Sequence, residues 1–329
     1  MKSFVLTSRR ILFEDEDQLF DSFVSQGWTD GLPVVPPTEE RVRAMLLGAR
    51  RNSPSDILGV EPVKGRAITV EHVAINAVMA GCLPGYFPVL IASLEAMCEP
   101  EFNLHAVTVS TMGSAVLTVV NGPIVERVGL NSGVSVFGPG NRANATIGRA
   151  IRLVIMNVMG ARPGELDKAT IGHPGKFSWC MAEAEQISPW EPLHVELGEL
   201  EGSSAVTVFP GLSPIPVASS ESEPEIILSA FIDAMFAAGI EQDEVIVVLS
   251  PELIGHFKIG SWSKRQVQQF LYDECQRGHW NEKTRAVSSP DAVRVLVTGG
   301  SAGGFGMVIP LWGRGSSNSK SVTKSIRVD

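Results

Sequence analysis

The chain has no Cys-x-x-Cys pair, no His-x-x-x-His pair and no complete glycine fingerprint for a dinucleotide. Its four cysteines, Cys82, Cys98, Cys180 and Cys275, lie far apart in sequence. That spacing excludes a disulfide framework and a zinc knuckle. The six histidines show no metal-ligand spacing, and no cofactor is implied. Positive charge is scarce as well: 27 Lys and Arg against 36 Asp and Glu give a net charge of −9 and a pI near 5.3. This argues against a nucleic-acid surface. It leaves small anions open, because local arginines can override a global field.

Long apolar runs are missing too. The longest apolar region, residues 68–97, is cut by Glu71, His72, Gly81, Pro84, Gly85 and Pro88, so it reads as two buried helices rather than a membrane span. Residues 1–20 turn acidic at Glu14–Asp17 and carry no apolar signal core. The expectation is a soluble, cytoplasmic protein that binds neither nucleic acid nor membrane.

What is present is an ordered, turn-rich chain: 44% hydrophobic, 19% charged, with 32 glycines and 21 prolines in 329 residues. That length suits an α/β protein of two intimately packed lobes, with mixed sheets and helices. The polar stretch 198–204 is the expected boundary. Residues 1–200 then form an α+β lobe with the anion site, and 201–329 an α/β lobe with a glycine-rich loop.

Periodicity predicts a helix over 15–26, then a proline-rich turn at 27–38 that cannot be helical. That turn either lines a cleft or serves as a structural crossover. Thr38 and Thr69 are expected N-caps, Gly81 a helix stop, and a further helix spans about 88–97. Residues 107–120 read as strand, turn and strand, and 132–137 as extended. A helix is expected over 143–159, strands at 205–209, 245–249 and 293–298, and helices at 225–238 and 263–276. Segment 304–311 reads as extended. Residues 107–123 and 295–313 share a faint likeness, too weak to establish a duplication. The polar tail 314–324 either folds over a ligand or stays free.

Polar side chains concentrate between Asn121 and Glu185. Gly138-Pro139-Gly140 opening a helix offers unpaired N–H groups and a positive dipole end to an anion. Arg142 would add a guanidinium fork there, Asn141, Asn144 and Thr146 neutral hydrogen bonds, and Arg149 a second cation two turns on. Alternatively Asn141 only caps the helix and Arg142 is surface. Arg152 is assigned to ion pairing. His173, Lys176 and Glu183 are candidates for moving protons, and Asn121 for binding substrate. Cys82 and Cys180 are candidate nucleophiles, against the alternative of inert buried thiols. Gly299-Gly300-Ser301-Ala302-Gly303 matches a nucleophile elbow in letters but not in context, since no histidine follows residue 279. Ser301 and Gly303 therefore read as a ligand-facing loop or a tight hairpin.

Several segments carry a family resemblance: Asp30–Thr38, Ala77–Cys82, Glu101–His105, Val120–Pro123 and Gly138–Arg149. Together they resemble the large domain of UGSC-motif (selenocysteine/cysteine) proteins. The Cys-Gly-Ser-Cys motif itself is absent. The resemblance implies that any thiol chemistry comes from Cys82, from Cys180 or from a separate thiol or selenol partner. Three functions are carried forward. One is a lyase or hydrolase acting on a small carboxylate or phosphate. The others are a thiol-dependent reductive or addition–elimination enzyme and a non-catalytic substrate-binding subunit. A homo-oligomer is expected.

Overall fold

The computed structural model describes residues 4–13, 15–49, 53–239, 242–279, 282–313 and 319–327. The first half runs α1 (Glu16–Ser25), α2 (Glu39–Leu46), a hairpin of β1 (Ile57–Glu61) and β2 (Arg66–Thr69), α3 (Val70–Ala80), α4 (Phe87–Met97) and α5 (Leu104–Val109). Then come β3 (Ala115–Asn121), α6 (Ile124–Val128), α7 (Arg142–Asn157), β4 (Cys180–Ala182) and α8 (Leu193–Glu196). The second half runs β5 (Ala205–Gly211), β6 (Ile215–Ala218), α9 (Pro224–Ala238), β7 (Val245–Leu249), α10 (Pro251–Ile259) and α11 (Lys264–Glu274). A hairpin of β8 (Gln276–His279) and β9 (Glu282–Arg285), then β10 (Val293–Val297), β11 (Phe305–Pro310) and β12 (Val322–Ser325) complete it.

The expected helix signals are at work. Thr69 accepts from His72 N–H at 3.2 Å while His72 Nδ1 accepts from Thr69 N–H at 3.4 Å, closing a capping box at the start of α3. Gly81 ends α3 in the left-handed region at φ 92°. Thr38 and Ser263 cap α2 and α11.

Two four-stranded mixed sheets form, ordered β12-β5-β3-β4 and β10-β7-β11-β6. Each has one parallel pair, β3 with β4 and β10 with β7, and two antiparallel pairs. Alternation along the strands sorts their side chains into layers. Leu117, Val119, Met181 and Phe209 of the first sheet pack against Ile246, Val248, Leu296 and Ile309 of the second. The opposite faces carry Val116, Val120, Val206 and Val208 against α3, α4 and α7, and Val245, Val247, Val293 and Val295 against α9, α10 and α11. The architecture is helices, sheet, sheet, helices. Strands buried on both faces explain why β3, β5 and β7 read as largely apolar runs.

Four expectations need correction. Residues 104–109 form helix α5, so 107–120 holds one strand, β3, rather than two. Asn103 adopts the left-handed region at φ 52° and Val107 N–H donates to its carbonyl, starting a helical turn that overrides β-propensity. The likeness to 295–313 accordingly does not extend to the structure. Residues 132–137 are turns rather than extended, with Ser135 at φ 57°. Within the tail, 314–318 lie outside the described residues, while β12 pairs with β5 instead of folding over a ligand. Finally, the sheets do not divide at residue 200, since β5 and β12 complete the sheet built on β3.

Gly122, at φ 83°, turns the chain out of β3, and a methyl there would collide with the Ser203 carbonyl. Gly122→Ala is expected to cost at least about 1–2 kcal/mol from the left-handed conformation alone. Urea unfolding of the two chains measures it.

Candidate functional site

The start of α7 is built from groups that satisfy one another. Asn141 accepts from Asn144 N–H at 3.0 Å and donates to Gly129 O at 2.8 Å. Asn144 is buried and clamps the 131–136 turn, accepting from Asn131 N–H and donating to Asn131 O. Arg142 donates through Nε and Nη2 to Gly81 O at 3.0 and 2.9 Å, which ties α7 to the negative end of α3. Thr146 bonds back to Arg142 O at 2.8 Å. The structure therefore places these four side chains on protein partners: Asn141 caps the helix, and Arg142 binds a carbonyl instead of presenting a free fork.

Further along α7, two arginines fix two separate loops. Arg149 makes a two-pronged contact with Asp30, Nε to Oδ2 and Nη2 to Oδ1, both 2.8 Å, and also donates to Leu32 O and Pro33 O. Burial alone would raise the Asp30 pKa; the Arg149 guanidinium outweighs it and holds the carboxyl below its usual value. One turn on, Arg152 donates to Asp167 Oδ2 at 2.9 Å. Lys176 Nζ sits 2.8 Å from the same oxygen and 3.0 Å from Oδ1, and Ala169 N–H adds a bond at 3.1 Å. Burial pushes Asp167 upward, but Lys176, Ala169 N–H and Arg152 together bring it below the ordinary range. For Lys176 burial prevails over Asp167, and the amine pKa is lowered.

Both loops line a cavity of about 620 Å³. Gly27, Thr29 and Asp30 contribute from the first, Arg152 and Met156 from α7, and residues between 162 and 177 from the second. Arg162 has a buried Nε with no hydrogen-bond partner. Its guanidinium lies against Gly27, 3.6 Å from where a β-carbon would stand. Gly27, at φ 66°, is suited to that place by its left-handed backbone. The volume is that of a small-molecule site.

His173 also lines this cavity, but its nitrogens are turned elsewhere. Nδ1 accepts from Gly175 N–H at 3.2 Å; Nε2 is sealed, near the Gly211 backbone without completing a hydrogen bond. The ring packs edge-on against Trp179, and burial lowers its pKa, so the neutral ring is favoured.

Asn121 and Glu183 come together away from this cavity, at the carboxy ends of parallel β3 and β4. Asn121 Nδ2 donates to Glu183 Oε2 at 2.7 Å and to Glu185 Oε1 at 2.8 Å, and Leu193 N–H donates to Glu183 at 2.8 Å. Glu183 is sealed, and burial raises its pKa. His194 is equally buried nearby in sequence, with no hydrogen-bond partner on either ring nitrogen. Neither thiol faces the cavity. Cys82 donates to Thr146 O at 3.2 Å and burial pushes its pKa up to about 12; Cys180 is sealed and pushed up further. Ser301 stands exposed on the loop between β10 and β11, where Gly299 N–H donates to Ser132 O, and Gly303 turns that loop at φ 85° against Phe305.

The structure thus brings Lys176 and His173 to one cavity and adds Arg152, Arg162, Asp30 and Asp167. Arg162 was missed from sequence; its Gly160-Ala161-Arg162-Pro163-Gly164 setting marks a turn but nothing about its charge. Arg149, Arg152 and Met156 follow helical i, i+3, i+7 spacing, which was a readable sign of one shared face. Among the described residues no group of three or more His, Cys, Asp or Glu converges on a metal position. Comparison with protein-family models, curated proteins and solved structures finds no match to this chain.

Asp167→Asn is expected to cost about 3 kcal/mol, the lower end for a broken buried pair because Arg152 and Lys176 can turn toward the cavity. The native Asp167 pKa is depressed, so its contribution is complete above the unfolded-state value and fades as pH falls through the folded one. The stability gap between the two chains, from urea unfolding at pH 7 and in the acid range, should therefore close on acidification.

Proposed function

We propose that this chain is an enzyme acting on a small anionic molecule held in the cavity between the Gly27–Asp30 loop and residues 162–177. The observation that carries the reading is Arg162, a guanidinium in the cavity wall with no hydrogen-bond or ion-pair partner among the described residues. An Arg fork left open in a cavity suits a carboxylate or phosphate oxygen. Lys176 is the proton-transfer group: burial lowers its pKa and so eases release of its proton, and the amine so freed can take a proton from the carbon beside a bound carboxylate. Asp167 and Arg152 orient that amine. Proton abstraction followed by departure of a group from the next carbon is lyase chemistry; hydrolysis, with Lys176 activating a water, uses the same groups.

The thiol route is disfavoured by the burial of Cys82 and Cys180 and their raised pKa values. Those sealed thiols favour one second reading, a substrate-binding subunit whose thiol or selenol comes from a separate chain. The resemblance to UGSC-motif proteins belongs to that reading.

Arg162→Ala is expected to weaken ligand binding by about ten- to a hundredfold, the worth of a charged hydrogen bond. Lys176→Met should lower kcat by about 10²–10⁴, with circular dichroism unchanged for both variants. Turnover should survive full alkylation of the thiols. Unchanged affinity in the Arg162 variant would sink the assignment, and turnover seen only with a second thiol protein would favour the subunit reading.

A further inference from the structure

The charge balance of the cavity narrows the class of ligand, an inference that rests on the anion reading above. Four cations stand in or directly behind its walls: Arg149, Arg152, Arg162 and Lys176. Arg149 is taken by Asp30, and Arg152 and Lys176 share Asp167. Glu165 adds a third carboxylate at the exposed edge. Four positive and three negative groups leave one positive charge, and Arg162 is the cation without a protein partner among the described residues.

That is thin provision for a phosphate dianion, which gathers several cations or a helix N-terminus. Among the described residues no α-helix start lines this cavity; Arg152 and Met156 belong to the middle and end of α7, and the remaining lining is loop and a single three-residue turn. Hydrocarbon makes up much of the remaining wall: Met156, Pro163, Ala169, Ile171, Pro174 and Phe177. Ile171 is 95% exposed and Phe177 52% exposed. Two large apolar side chains held open beside a cavity with one free cation suit a ligand that is apolar over most of its length.

We propose that the cavity takes a monocarboxylic acid with an apolar body. Its carboxylate pairs with Arg162, and its hydrocarbon lies against Met156, Ile171 and Phe177. The acid end then reaches the neighbourhood of Lys176, and the chain runs outward to the mouth.

Calorimetric titration of the full chain with butanoate, hexanoate, octanoate, 1-hexanol and inorganic phosphate tests this. Affinity should climb by about fourfold per added methylene as hydrocarbon is buried, and hexanoate should exceed both phosphate and hexanol. In Arg162→Ala the acids should fall to the level of hexanol. The double variant I171S/F177S should flatten the chain-length dependence while leaving butanoate nearly as in the parent. Phosphate binding more tightly than hexanoate, with that binding lost in Arg162→Ala, would overturn the apolar monoacid and leave the anion site standing. Hexanol binding as tightly as hexanoate overturns the carboxylate assignment. Anion binding indifferent to Arg162 overturns this inference and the reading beneath it together.

Discussion

Two guanidinium–carboxylate contacts from one helix decide where the cavity stands. Arg149 on Asp30 and Arg152 on Asp167 reach from adjacent turns of α7 to two loops far apart in sequence. Such pairs add little net stability, because desolvation offsets most of the Coulomb gain. Breaking one leaves a charge stranded, so alternative loop positions are heavily penalised. Each pair therefore acts as a locator. Helix α7 can bear this role because its other face is locked: Ile147, Ile151 and Val154 are buried against α3, α4 and the first sheet. Gly148 lets the 178–179 backbone approach the helix closely, which delivers the 173–177 segment to the same place.

The layered fold beneath was largely legible, and for one reason. Both sheets are covered on both faces, so their central strands announce themselves as largely apolar runs between glycine and proline turns. Caps at Thr38 and Thr69 were readable because their signals are local. What failed was equally physical. Residues 107–109 are all β-branched, yet the left-handed Asn103 before this segment starts a helix, a backbone choice that propensity does not encode. Strand β5 lies beyond a polar stretch that looks like a boundary, and only its seven-residue register with β3 reveals that it belongs to the first sheet.

The site was half legible. Polar density between Asn121 and Glu185 drew attention to a segment part of which lines the cavity, but density cannot distinguish groups that serve the fold from groups left over. At the start of α7 the polar side chains are consumed in capping, clamping a turn and joining two helices. Lys176 was readable as a reactive candidate; Arg162 was not, because its interest lies in lacking a partner, a property of the assembled structure alone. His173 drew notice for its chemistry, but its Nδ1 is taken by Gly175 N–H and its Nε2 is sealed in the interior.

The same accounting separates the two polar clusters. Glu183 has a raised pKa, an unpartnered oxygen and a buried asparagine beside it, the outward marks of a proton-transfer group. It is also completely sealed, so a substrate would need the β3 and β4 ends to part before meeting it. Asp167 is just as buried, but its partners Arg152 and Lys176 line open space. A perturbed group acts on a substrate only where its perturbation and its access coincide, and in this fold that condition is met at Lys176, which burial perturbs and which lines the cavity.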